Sequence, residues 1–100
     1  MEALSLNQKV RVGEADKVYA LPVSKGKVLS LFVQLNPNAG EAIVDAKVQV
    51  SLDNVNFCDI TDEESGEVDE MVGIQVRDVP GQYFKVVYVS GVSEMFVIVS

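Results

Sequence analysis

The sequence predicts a single all-β domain spanning residues 1–100, an antiparallel β-sandwich or jelly roll of about eight strands. Three observations predict it. Apolar and polar residues alternate with period two along most of the chain, as in half-buried strands. Twenty of the 100 residues are valine, a side chain that is stiff at its first torsion and packs well on a pleated surface. Turn-forming clusters punctuate the apolar runs at the spacing of a sandwich or barrel, and no segment sustains a helical period.

The strands can be taken in chain order. Val10 and Val12 alternate with Lys9 and Arg11. Val18–Val23 is short, and Pro22 assigns it to an edge or a strand end. Leu29, Leu31, Val33 and Leu35 share a face, with Ser30 and Gln34 on the other. Ala46, Val48, Val50 and Leu52 interleave with Lys47, Gln49 and Ser51, the cleanest half-buried pattern in the chain. Phe57–Ile60 is strand-like. Val72, Ile74 and Val76 oppose Gly73, Gln75 and Arg77. Phe84, Val86 and Tyr88 share a face, while Val87 and Val89 make the opposite face apolar too. Met95, Phe96, Val97, Ile98 and Val99 leave no polar side. A strand apolar on both faces lies centrally in a sheet or at an interface, so these five are the candidate interface residues.

Between the strands, Ser24–Gly26, Asn36–Gly40, Asp53–Asn56, Val79–Gly81 and Ser90-Gly91 carry turn chemistry. Pro80-Gly81 suits the central positions of a type II turn, where glycine accepts positive φ.

Charge narrows the function classes. The net charge is −7. Residues 1–50 hold six bases and five acids, net +1, and residues 51–100 hold two bases and ten acids, net −8. Nucleic-acid binding needs Lys and Arg to displace counterions, and an anionic membrane would repel the second half. Neither partner is expected. Mean hydropathy of +0.20 is high for so small a chain, and points either to a Val-rich core or to a surface covered by a partner. Cys58 is the only cysteine, so no intrachain disulfide forms. Met1 is followed by no basic, apolar and small-residue signal pattern, and the expectation is a soluble protein made without export.

The residues that carry chemistry are missing or scattered. There is no histidine, which removes the commonest general base and transition-metal ligand. Cys58 sits beside an acid with no base close in sequence, and is expected as a small buried or half-buried residue. The glycines form no phosphate-cradling loop. No cofactor is called for. The acids crowd one stretch, from Asp59 through Asp62, Glu63, Glu64, Glu67, Asp69 and Glu70. Three readings stay open for it: a solvated loop, a Ca²⁺ site, or a docking loop against a basic partner surface. The aromatics fall mostly in strands, as core residues do. A sugar-binding platform would need them exposed, and there is no tryptophan.

One hairpin resembles a known pattern. Val48-Gln49-Val50-Ser51-Leu52-Asp53-Asn54-Val55-Asn56-Phe57-Cys58-Asp59-Ile60 is similar to the "strand, Ser-x-Asp-x-x-Asn-Phe/Trp-x-x-Ile" hairpin of small β-sandwich auxiliary proteins of tailed-phage particles. It is similar too, more weakly, to a hairpin of discoidin-like domains. Pro80–Val89, followed by Ser90-Gly91, looks like a strand that runs back through such a sandwich. Within the hairpin, Asp53, Asn54 and Asn56 can bond their own backbone and accept left-handed geometry, and Phe57 is expected to plug the sandwich end.

The resemblance implies a non-enzymatic virion protein. It would be a capsid decoration, cement or head-fibre subunit, assembled in the host cytoplasm and bound as an oligomer to the major capsid protein or another virion protein. A dimer or trimer is expected. The alternative is a carbohydrate- or cell-surface-binding sandwich, in one version Ca²⁺-dependent.

Overall fold

A computed structural model describes residues 2–13, 15–22 and 28–100. Within them the chain forms nine strands and no helix. These are β1 (Glu2–Ala3), β2 (Val10–Val12), β3 (Tyr19–Ala20), β4 (Leu31–Pro37), β5 (Lys47–Ser51), β6 (Cys58–Asp59), β7 (Val72–Val76), β8 (Tyr83–Val87) and β9 (Val92–Val99). Eight overlap the strand segments read from the sequence. The ninth, β1, is too short to show a period. The Ser24–Gly26 turn lies outside the described residues.

The strands form two sheets, one of five in the order β1-β3-β8-β5-β6 and one of four in the order β2-β9-β4-β7. The fold is a β-sandwich. Every pairing is antiparallel except β1 with β3. The chain changes sheet at nearly every connection, so among the described residues β5 and β6 are the only consecutive strands that share a ladder.

Period-two alternation now has its cause. Leu31, Val33 and Leu35 of β4, Val48 and Val50 of β5, Val72, Ile74 and Val76 of β7, and Phe84 and Val86 of β8 all point between the sheets and are buried. Burying each such side chain is worth roughly 1.5–3 kcal/mol. Tyr19 stacks on Phe84 within this core, ring centroids 5.6 Å apart.

The C-terminal strand corrects the expected interface. β9 lies between β2 and β4, and Met95, Val97 and Val99 are buried in the core of the single chain. Three of the five candidate interface residues are therefore unavailable to a partner. Phe96 and Ile98 turn to the outer face and stay half-buried. The two-sided apolar pattern marks a central strand, as the first of its two readings holds.

Two glycine turns differ from each other. Gly91 has φ of 92°, and a Cβ there would collide with the Ala42 carbonyl oxygen. Gly81 does not adopt positive φ, so Val79–Gly81 is not the expected type II turn; the left-handed residue is Asp78, at 57°. Space is what Gly81 supplies, since a Cβ would sit 2.9 Å from Val50 Cβ.

Candidate functional site

The β5–β6 hairpin builds a surface loop closed by its own side-chain hydrogen bonds. Ser51 is buried at the end of β5, and its hydroxyl oxygen accepts hydrogen bonds from the backbone N–H groups of Asp53 (3.2 Å) and Asn54 (2.9 Å). The Ser51 hydroxyl donates to the Asp53 carboxylate at 2.9 Å. That carboxylate also accepts from the backbone N–H of Val55 at 2.9 Å, the N–H of Asn56 at 2.8 Å and the Asn56 side-chain amide at 2.9 Å. Asn54 takes the left-handed φ of 61° that asparagine tolerates. The loop is thus closed on two side chains that four successive backbone N–H groups address.

Electrostatics follow from that geometry. The Asn56 backbone N–H, then the Val55 N–H, the Asn56 amide and the Ser51 hydroxyl hold the Asp53 carboxyl well below the usual carboxylate range. Hydrogen bonds to the charged form favour it.

What the locked loop presents is apolar. Leu52 is 69% exposed and Val55 76% exposed. Beside Leu52 opens a cavity of about 380 Å³, bordered also by Cys58, Ile60, Pro80 and Gly81. Cys58 is exposed, not buried, because β6 is a sheet edge. Phe57 does not plug the sandwich end. It is half-buried, with the Lys85 ammonium 4.5 Å from its ring centroid.

A second apolar surface lies on the outside of the four-stranded sheet. Phe32 is 40% exposed and pairs with Ile98, while Gln34 pairs with Phe96. The Lys9 ammonium rests 4.3 Å from the Phe96 ring centroid. A shallow hollow of about 140 Å³ lies among Lys9, Phe32, Gln34 and Phe96.

The acidic stretch is tied down through its backbone. Glu64 and Ala46 exchange two hydrogen bonds of 2.8 Å, the Gly66 N–H donates to the Ile43 carbonyl, and the Asp69 N–H donates to the Glu41 carbonyl. Its side chains face outward: Asp62, Glu63, Glu64, Glu67, Asp69 and Glu70 are all exposed. Lys47 binds Asp59 at 3.0 Å and Glu63 at 3.3 Å. Those bonds, led by that to Asp59, raise the lysine's pKa, while Asp59 is lowered by Gln49 and then by Lys47. The Asp69 carboxylate accepts from the Gly40 N–H at 2.7 Å. Among the described residues, no three His, Cys, Asp or Glu side chains converge as a metal site would require.

Comparison with known protein families, curated proteins and solved structures finds no match. The site rests on its own geometry. Its turn chemistry was readable in Asp53, Asn54 and Asn56. The part of Ser51 was missed, although Ser-x-Asp at a strand end is itself a signal for hydroxyl-to-backbone bonding.

Proposed function

We propose that this chain is a non-enzymatic assembly protein, a β-sandwich that docks on a larger protein shell through the Leu52–Val55 loop. The observation that carries the reading is the display of two solvent-facing apolar side chains on a hydrogen-bonded loop, with an apolar hollow beside Leu52. A loop ordered before docking loses little conformational freedom on binding. Burying Leu52 and Val55 would each contribute roughly 1.5–3 kcal/mol. The hairpin's resemblance to phage auxiliary proteins supports a tailed-phage capsid as the shell, its major capsid protein or another virion protein as the partner, and the virion as the location.

The test is co-sedimentation of the chain with particles purified from its native source. The Leu52→Ser/Val55→Ser variant is expected to keep its melting temperature and to lose about tenfold or more in shell binding. Unaltered binding by a folded double variant would overturn the reading.

The exposed Phe32 ring beside Gln34 favours a second reading, a carbohydrate-binding face. A glycan array with hits that disappear in Phe32→Ala would support it, and an array without hits would end it.

A further inference from the structure

We infer that copies of this chain join head to tail, the β2 edge of one adding to the β7 edge of the next so that the four-stranded sheets run on. This inference rests on the sheet edges, not on the Leu52–Val55 loop, so the two readings fail independently.

The hydrogen-bond phase of the sheet shows which backbone groups are left over. Ser30 and Ser100 exchange both their bonds, at 2.8 and 2.9 Å, which fixes the antiparallel alternation between β4 and β9. Phe32 and Gln34 then face β9, and Leu31, Val33 and Leu35 face β7. Their partners Val76, Ile74 and Val72 face back. Gly73 and Gln75 are left with N–H and C=O groups pointing off the edge. By the same count Val10 and Val12 bond β9 and Arg11 points away. The Asn7 N–H bond to the Val99 carbonyl agrees with that phase. Among the described residues, nothing bonds these outward groups.

An open edge is a template for another strand, and here direction and chemistry select the occupant. β2 runs parallel to β4 and antiparallel to β7. A second copy displaced sideways without inversion therefore presents β2 to β7 in the antiparallel sense. Its Val10 and Val12 fall on the core side, in line with Ile74 and Val72.

Charge complements this pairing and opposes the symmetric ones. Ile74 and Gln75 of β7 share an open cleft of about 670 Å³ with Asp62, Glu63 and Glu64. The β2 edge brings Arg11, exposed though 3.8 Å from Glu94 of its own chain, and Lys9 just before the strand. Joining β7 to β7 would set acid against acid, and β2 to β2 would set base against base.

Register follows as well. Arg11 opposite Gly73 places Lys9 opposite Gln75, at the acidic cleft. A shift of two residues would instead set Lys9 against Arg77. In the favoured register Arg11 meets the Phe32 ring, which leans over Gly73 within 3.3 Å of where a Cβ would stand. Such a heterologous contact closes into a ring or propagates, according to the rotation between copies.

Sedimentation velocity of the full chain at tens of micromolar tests the inference. The wild-type chain is expected to associate, less so at high salt. Gln75→Pro removes an N–H that no strand of its own chain uses, and is expected to fold yet to weaken association about tenfold or more. Lys9→Glu/Arg11→Glu should do the same. A monomeric wild-type chain at low salt overturns the inference, as does undiminished association of either folded variant. Should the variants not fold, cysteine cross-linking decides. In a Cys58→Ser background, Lys9→Cys mixed with Gln75→Cys is expected to cross-link across copies, while neither links alone. Equal linking by Gln75→Cys alone would overturn the head-to-tail arrangement.

Discussion

Asp53 shows how one carboxylate sets the order of a loop. Its charge is held by four hydrogen-bond donors, so its folded pKa lies below that of the unfolded chain. A depressed carboxylate pKa contributes stability that is complete above the unfolded value and is lost as pH falls through the folded one. Amide-exchange protection at Val55 and Asn56 is therefore expected to persist from neutral pH down to the ordinary carboxylate range, and to fail only below it. Asp53→Ala should remove that protection at every pH, readable by NMR hydrogen exchange. Tyr19 is the opposite case. Its hydroxyl is buried with no partner among the described residues. Tyr19→Phe should leave stability unchanged or raise it by up to about 1–3 kcal/mol in urea unfolding. A loss of more than about 1 kcal/mol would mean that the hydroxyl is bonded after all. Sequence carried the loop's turn chemistry in Asp53, Asn54 and Asn56. It did not carry the exposure of Cys58 or the placing of Phe57, because both depend on β6 being a sheet edge, and edge position is set by strand order rather than by residue type.

Among the elements, legibility followed length and burial. β4, β5 and β7 each bury one face, and their alternation gave them away. β9 buries one face fully and half-covers the other, so its apolar run marked it as central without saying which side would be lost to the core. The connections were harder. Pro80-Gly81 has the composition of a type II turn, yet packing against Val50 and Ser51 decides its course. At the β8–β9 connection the constraint is backbone geometry. Gly91→Ala would force a Cβ into the Ala42 carbonyl at positive φ, and should cost about 2–4 kcal/mol. For a domain of this size that is a fall in melting temperature of roughly 10–30 °C, measurable by circular dichroism. A change within experimental error would show that the 41–44 segment yields freely.

On the scale of the whole molecule, nearly every ladder joins strands distant in sequence. Folding must close long loops before those contacts form, which places it among the slow two-state topologies, in milliseconds to seconds. Stopped-flow refolding should show this, and a microsecond phase carrying the full amplitude would contradict it. The core also draws on seven of the nine strands, so Phe84→Ala, at a fully buried ring, should cost about 3–5 kcal/mol. That is a large part of a total margin of about 5–15 kcal/mol.

The position of β9 has a consequence for biosynthesis. β2 and β4 share no ladder; each pairs with β9, the last of these nine strands to be made, which sits between them. Until residues 92–99 have left the ribosome, Leu31, Val33 and Leu35 have no complete sheet to enter. A nascent chain stalled or prematurely terminated before Val92 would remain open to proteases and chaperones, and deleting 92–100 should leave a polypeptide with no cooperative melt.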